Sequence, residues 1–503
     1  MNPKSYLFLV ILGILTGVSY SYIYLIPIII ISFAYFFFSI EKSINQKNSF
    51  FIGWIFGTGF FFGSMHWIIF PFLIYEQHLY LSPVVLIIFP VLLGLFFSIP
   101  SLFLHNFLKI VNSDCLYFKS FSLSLFFLIS ELTRSYIFGG LPFNLTAQIW
   151  AFNSKFIQIV SFIGVYGLSF LTINWLVILS FLILEKRKSF FAILILLPVF
   201  LYNFENFYFK KKSSLINKNI NVRVIQPNIP QEDKWNKLKI PIHLEKLINL
   251  TNKDLNEKEK YLVVWPEVAI PFYLNEEKEL VEYLRKEIKQ NVILVAGALK
   301  REFSNNDFKI YNSLYLLKKD EFFVYDKRKL VPFGEFVPFR KFLKFTKLTE
   351  GSTDFSEGLN KKKIDFKIDD KIFFLEPSIC YEAIFQSFVE YKPHLFVNIT
   401  NDGWFGTTIG PKQHLAASIY RAVEKGSPLI RSANSGISVI TNSNGKILKK
   451  IDLQKTGYID VKLSTNNNNT FFMKFKNYAL TLPILLLAII SLILDIATKR
   501  KKN

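Results

Sequence analysis

The feature that most limits what this chain can fold into is the spacing of its apolar residues. From Ser5 to Phe204 they fall into blocks close to the roughly 20 residues needed to cross a bilayer, and one more block runs from Tyr478 to Leu494. Hydrophobic residues make up 51% of the 503, with 56 Phe among them, too apolar a balance for an ordinary soluble protein. We read seven spans in the first region, at about 6–21, 23–40, 50–73, 81–104, 121–137, 156–184 and 189–204, and an eighth at 478–494. Only Ser19 to Tyr22 separate the first two, but a single 35-residue span is implausible, so a tight hairpin is expected there.

The basic residues give an expected orientation. Lys4, Lys42, Lys47, Lys109, Lys119, the Lys186–Lys188 cluster and the KRKK run at 499–502 all fall on one side if the spans alternate, whereas loops such as Tyr75–Ser82 carry almost none. Both termini are then cytoplasmic, and the soluble block after the seventh span lies outside. A cleaved secretion signal at residues 1–22 is disfavoured because no small-residue cleavage site follows. The net charge of +21 is explained by basic loops facing anionic lipid, and no zinc-ligand spacing, RNA-binding signature or P-loop points to nucleic acid or to a cofactor. The organisation expected is a membrane domain over 1–205, an outer domain over 206–475, and a final span with a basic tail over 476–503.

Within the outer block, 220–226, 261–265, 291–297, 312–318, 371–379, 395–399 and 428–433 read as buried strands, with helical patterns at about 236–252, 276–290 and 411–425. That alternation predicts an α/β layered domain. Three units end on reactive residues: Val-Val-Trp-Pro-Glu267, Tyr-Asp-Lys327 and Pro-Ser-Ile-Cys380. Beyond the carboxyl ends of strands in an open α/β sheet, a carboxylate, an amine and a thiol would make a base, an oxyanion partner and a nucleophile. Taken singly, each has a plainer reading. Cys380 is one of two cysteines and would serve as a small core residue, Glu267 as a carboxylate at a helical turn over Val268–Leu274, and Lys327 as part of a solvated DKRK patch. Cys115, the other cysteine, falls on the opposite membrane face, which excludes a disulfide.

The flanking sequences change the balance. QPNIPQEDKW (226–235), WPE-x-A-x-P (265–271), K-x-x-LVPFGEFVP (327–338), ICYE (379–382), NDGWFG (401–406), GPKQH (410–414) and RSANSGIS (431–438) resemble those of apolipoprotein N-acyltransferases, a branch of the nitrilase superfamily. The resemblance implies about eight spans plus a periplasmic α-β-β-α sandwich, in a bacterial inner-membrane enzyme. It makes Cys380 the nucleophile, Glu267 the general base and Lys327 the oxyanion partner. It further implies that Glu335 supports the triad, that Tyr381 and Glu382 shape the site, and that Trp235 contributes to substrate binding. The acyl donor implied is a membrane phospholipid, and the acceptor is the α-amine of a diacylglyceryl-modified cysteine on an apolipoprotein. Gly403, where Ala is frequent in the family, and Lys329, where His is frequent, depart from the commonest pattern.

Smaller features carry their own expectations. FRKFLKFTKL (339–348) interleaves rings and cations and reads either as a mobile arm at the headgroup level or as an ordinary amphipathic surface helix. Gly139 to Asn144 reads as an outer loop lining a lipid path or as a plain turn, and His414 reads as a structural hydrogen-bonder. On residues alone, two rivals remain: a membrane-tethered amidase using the same triad, and a transporter or binding protein without catalysis. The transporter predicts charges within the spans, where Glu131 and Arg134 come nearest.

Overall fold

The computed structural model describes residues 3–111, 115–209, 218–304, 307–318, 321–338, 340, 347–349, 353–359, 363–387, 389, 391–465 and 469–500. Two compact units are present: one of Met1–Ile69, Tyr80–Ser213 and Thr470–Asn503, the other of Phe70–Leu79 and Ser214–Asn469.

Among its described residues the first unit has helices and no strand. Its long elements are α1 (Pro3–Ser19), α2 (Ile26–Glu41), α3 (Gln46–Met65), α5 (Ser82–Val111), α6 (Leu116–Arg134), α7 (Val160–Leu184), α8 (Ser189–Phe209) and α13 (Tyr478–Arg500), with a one-turn α12 (Phe471–Phe475) before the last. These match the eight expected apolar blocks in position. Among the described residues six helices are long and apolar enough to cross a membrane, while α1 and α2, at 17 and 16 residues, are shorter.

Close packing of α1 on α3 explains the glycines they share. A Cβ on Gly13 or Gly17 would lie 2.3 or 2.2 Å from the Phe56 or Phe60 carbonyl oxygen, and one on Gly59 or Gly63 would lie 2.3 Å from a carbonyl of α1. Small residues four apart on both helices let the backbones touch, which in an apolar solvent is a principal source of helix association.

Glu131 and Arg134, the charges that a transporter would use, tie down the loop after α6. Arg134 donates to the carbonyls of Leu141 and Phe143 at 2.5 Å each. Glu131 accepts from the Thr146 amide at 2.8 Å and its hydroxyl at 2.7 Å. The loop from Gly139 to Asn144 therefore has a fixed course, with left-handed φ at Gly139, Gly140 and Asn144.

The second unit contains two sheets. The first runs β13 (Gly457–Thr465), β1 (Lys218–Gln226), β2 (Tyr261–Val264), β4 (Val292–Ser304), β5 (Asp307–Lys318), β6 (Glu321–Asp326), with β3 (Ile270–Tyr273) also on β4. The second runs β12 (Ile447–Ile451), β11 (Ser438–Thr441), β10 (Leu429–Ala433), β9 (Leu395–Thr400), β8 (Lys371–Ile379), β7 (Ile364–Ile368). β1–β2–β4 and β8–β9–β10 are parallel at the centres, and the outer pairings β1–β13, β4–β5, β5–β6, β7–β8, β10–β11 and β11–β12 are antiparallel.

Val222, Val224, Leu262, Val264 and Val295 from one sheet meet Phe373, Leu375, Val397, Ile399 and Ile430 from the other in a shared core. Continuous apolar runs of this kind are what strands covered on both faces require. The outer face of the first sheet is covered by α9 (Ile240–Asn252) and α10 (Lys278–Glu287), which bury Leu244, Leu247, Ile248 and Leu284 against Val263, Trp265 and Leu294. α11 (Gly410–Lys425) begins with Pro411 in its first turn and ends on Gly426 at φ 62, a left-handed cap that glycine takes without strain. The result is α-β-β-α. A short α4 (Phe70–Ile74) belongs to this unit, and a Cβ on Gly406 would fall 2.4 Å from the Phe70 ring.

Two expectations need correction or restriction. Val268–Leu274 is not a helical turn: a turn leads straight into β3. Phe339 and residues 341–346 of the FRKFLKFTKL segment lie outside the described residues, as do 501–502 of the basic tail. Of the segment's described cations, Arg340 pairs with Asp354, and buried Lys347 sits 4.2 Å over the Phe355 ring.

Candidate active site

Three loops at strand ends bring the sequence-predicted groups together. Glu267 follows β2 by way of Trp265 and Pro266, Lys327 follows β6, and Cys380 follows β8 at the start of a 3-10 turn, Cys380–Ile384. All three are buried. The elbow after β8 is sharp enough to hold Cys380 at φ 48, and Val268, next to Glu267, and Phe333, two residues before Glu335, are also left-handed, at 45 and 62. Non-glycine residues adopt this region at a cost, so the surrounding contacts must enforce it, and such residues cluster at functional sites.

The Glu267 carboxylate is the centre of the network. Its Oε1 accepts from Asn312 Nδ2 at 2.8 Å and from Lys327 Nζ at 3.3 Å, and its Oε2 accepts from the Asn401 amide at 2.9 Å. The Cys380 thiol lies within the field of the same carboxylate, which works against its ionisation. Gly297 on β4 makes room for this turn: a Cβ there would sit 2.4 Å from the Val268 nitrogen and 2.7 Å from Glu267 Cα.

Glu335 and Glu382 hold the loops in place. Glu335 accepts from Lys327 Nζ at 2.9 Å and Asn312 Nδ2 at 3.1 Å through Oε1, and from the Val331 amide at 2.9 Å through Oε2. Glu382 accepts from Tyr325 Oη and the Arg328 amide at 2.8 Å each through Oε1, and from the Ile379 amide at 2.9 Å through Oε2. One carboxylate thus fastens the strand end before Cys380 to the loop carrying Lys327. Tyr381 is buried beside Cys380, its ring edge-on to Phe385 at 5.1 Å, and Trp235 is partly buried on the loop after β1.

The electrostatics set the resting charges. Burial pushes the Cys380 thiol up to about 12, with the Glu267 charge adding to the rise and Lys327 opposing it. Burial would also raise Glu267, but Lys327, Lys234 and the hydrogen bond from Asn312 outweigh it and hold the carboxyl below its ordinary value. Desolvation works against charge on Lys327, yet Glu335 and Glu267 keep it well above the usual lysine value. At neutral pH the site therefore holds a thiol, a carboxylate and an ammonium. A proton can pass from sulfur to Glu267 without any prior change of charge.

Beneath the elbow lies a buried network that sequence reading only touched. His414 spans Asp402 Oδ1 at 2.8 Å and the Cys380 carbonyl at 3.0 Å. Arg431 donates to Asp402 Oδ2 at 2.7 Å and also to Asn398. Burial opposes the Asp402 charge, but Arg431 and His414 overcome it and hold the carboxyl at about 2. Also missed were Asn312, in mid-strand, and Lys234, whose ammonium donates to the Glu267 carbonyl at 2.9 Å. Lys234 sits in QEDKW, where composition alone suggests a solvated lysine. Gly403 is not strained: a Cβ there would meet Asn401 Oδ1 and Ser435 Oγ at 3.1 Å. Lys329 is exposed, 5.7 Å over the Phe385 ring.

Comparison with known proteins agrees with this arrangement. The model of the apolipoprotein N-acyltransferase N-terminal domain matches residues 12–177, and that of the carbon-nitrogen hydrolases matches 221–467. An apolipoprotein N-acyltransferase of Rickettsia typhi is 33% identical over 97% of this chain and 97% of its own. That of Rickettsia prowazekii is 33% identical over 98% and 99%, and that of Rhodopseudomonas palustris 29% over 81% and 79%. With helical spans preceding an α-β-β-α unit whose strand ends converge on a carboxylate, an ammonium and a thiol, the chain belongs to the apolipoprotein N-acyltransferase family, acyltransferases of lipoprotein biosynthesis built on a carbon-nitrogen hydrolase domain.

Proposed function

We propose that Cys380 carries a fatty acyl chain from a membrane phospholipid to the α-amine of a diacylglyceryl-cysteine at the N-terminus of an apolipoprotein. The observation that carries this reading is the convergence of the buried Cys380 thiol, the Glu267 carboxylate and the Lys327 ammonium, with Glu267 held by Lys327 and by the Asn401 amide. Glu267 takes the thiol proton as sulfur attacks the donor's ester carbonyl. Lys327 and the backbone amide after Cys380 stabilise the developing oxyanion. Collapse breaks the ester C–O bond, the proton on Glu267 passes to the departing alkoxide, and a lysophospholipid leaves behind an acyl thioester.

The second half reverses these roles. The acceptor amine attacks the thioester, Glu267 takes a proton from the nitrogen, and the C–S bond breaks. The thiolate recovers that proton, and an amide is released. Water must be kept out, because it would hydrolyse the thioester.

In this reading residues 1–205 and 476–503 form the membrane domain and 206–475 the catalytic domain. Both termini are cytoplasmic and the catalytic domain is periplasmic in the inner membrane, which is supported by the one-sided distribution of Lys and Arg in the loops. Trp235 and Tyr381 border the substrate path, and Glu335 and Glu382 hold the triad in register. The test is a transfer assay with detergent-solubilised protein, phospholipid and a diacylglyceryl-cysteine peptide. Mass spectrometry should find the acylated peptide with the parent and none with Cys380→Ala; product formed by Cys380→Ala would refute the reading.

A further inference from the structure

Lys234 stands apart from the residues already given a role. It lies on the loop after β1 and is 6% exposed, and among the described residues its ammonium meets one acceptor, the Glu267 carbonyl at 2.9 Å. A buried ammonium with three donors and one acceptor is costly unless nearby charge compensates it. The group that compensates is the Glu267 carboxylate. The backbone that Lys234 grips is the strained one, since Val268 at φ 45 follows Glu267, with Gly297 directly against it.

We infer that Lys234 is a positioning residue of acyl transfer, pinning the turn that carries Glu267 while its positive charge keeps that side chain a carboxylate. This rests on the reading of Glu267 as the base. Two cations then flank one carboxylate: Lys327 reaches Oε1, whereas Lys234 holds the main chain behind it. Lys327 is itself shared with Glu335, whereas Lys234 makes no ion pair with any carboxylate among the described residues and meets Glu267 through its main-chain carbonyl.

Among the residues lining the same small cavity, His243 on α9 is the titratable group besides Lys234 and Glu267, beside Ile240, Pro266 and Asn434. Burial holds His243 below its ordinary value, so it adds little positive charge at neutral pH. Burial also brings Lys234 down to about 8, with Glu267 pulling the other way, so it is mostly charged at pH 7 and below and loses that charge as pH rises through 8. At pH 7 and below, where the acid limb lies, Glu267 has both its cations.

The test reads Cys380 reactivity directly. Full-length protein in detergent, in a Cys115→Ser background that leaves Cys380 as the single thiol, is alkylated with iodoacetamide from about pH 4 to about pH 10. Lys234→Met should move the acid limb of the rate profile upward by about one pH unit, a roughly tenfold loss on that limb, because losing a neighbouring cation raises a carboxylate's pKa. Lys234→Arg, which keeps the charge, should restore the limb. If Lys234→Met does not fold, Lys234→Gln decides by the same limb, keeping a donor for the Glu267 carbonyl without the charge.

A neutral variant with the parent's acid limb would overturn the inference. So would a shift that Lys234→Arg leaves uncorrected, since charge would not be its cause. Incubation of the parent with phospholipid runs alongside. No acyl adduct there would refute acyl transfer, and the alkylation profiles would still judge Lys234.

Discussion

Lys327 lies closer to Glu335, at 2.9 Å, than to Glu267, at 3.3 Å. The lysine is thus anchored by a carboxylate other than the proposed base, which leaves Glu267 free to take the Cys380 proton. Asn312 reinforces the arrangement by donating to both carboxylates.

Neutralising the anchor should therefore impair chemistry without removing any triad member. Glu335→Gln should let Lys327 swing toward Glu267 and slow acylation of Cys380 about a hundredfold, the scale of an ångström-sized misplacement. Timed accumulation of acylated protein measures this, and a rate within about threefold of the parent would contradict it.

The network under the elbow should govern stability. Asp402→Asn leaves Arg431 buried without its charge partner, and a loss of about 3–5 kcal/mol is expected. The folded carboxyl titrates at about 2, below an unfolded value near 3.9, so the contribution is complete above about pH 4 and fades as pH falls toward 2. Thermal unfolding of parent and variant should show a gap that narrows through that window. A matching substitution at exposed Asp452, paired with Lys450, should change little.

Two glycines should respond in opposite ways to the same methyl group. Gly297→Ala would drive a Cβ into the Pro266–Val268 turn and displace Glu267, so acyl transfer should fall by at least about a hundredfold. Gly403→Ala meets its neighbours at 3.1 Å and has no left-handed φ to disturb, so activity should stay within about twofold. Side-by-side transfer assays of the two variants decide this.

Alkaline stability should carry the signature of Cys380. The thiol titrates near 8.5 when unfolded and at about 12 when folded, so its stabilising effect is complete below about pH 8.5 and is lost as pH rises toward 12. Cys380→Ser cannot titrate there. By about pH 9.5 it should have gained roughly 1 kcal/mol on the parent relative to neutral pH, measured by denaturant unfolding at both values.

Parts of this site can be read from sequence for a physical reason. β2 reads Tyr-Leu-Val-Val and β8 carries the apolar run Ile372–Leu375, so both are legible as strands, with Glu267 and Cys380 just beyond their ends. Lys327 is not legible in this way, because β6 reads Glu-Phe-Phe-Val-Tyr-Asp and looks like a surface segment; only the flanking motif identifies it. The second sheet is also hidden. Alternation of strands and helices announces layers, but the separation of β7–β12 from the rest depends on contacts between distant strands. Lys234 and Asn312 are invisible for the same reason: their burial and partners are tertiary facts. The paired glycines of α1 and α3 were on the page, but the close helix contact they permit was not.

The central claim is that Cys380 carries the acyl chain, and intact-mass measurement tests it most directly. Detergent-solubilised protein incubated with phospholipid alone should gain the mass of one fatty acyl group on Cys380. Hydroxylamine should remove that group, and a diacylglyceryl-cysteine peptide should take it up as an amide. A protein that stays unmodified, or peptide acylation that survives Cys380→Ala, would contradict the account.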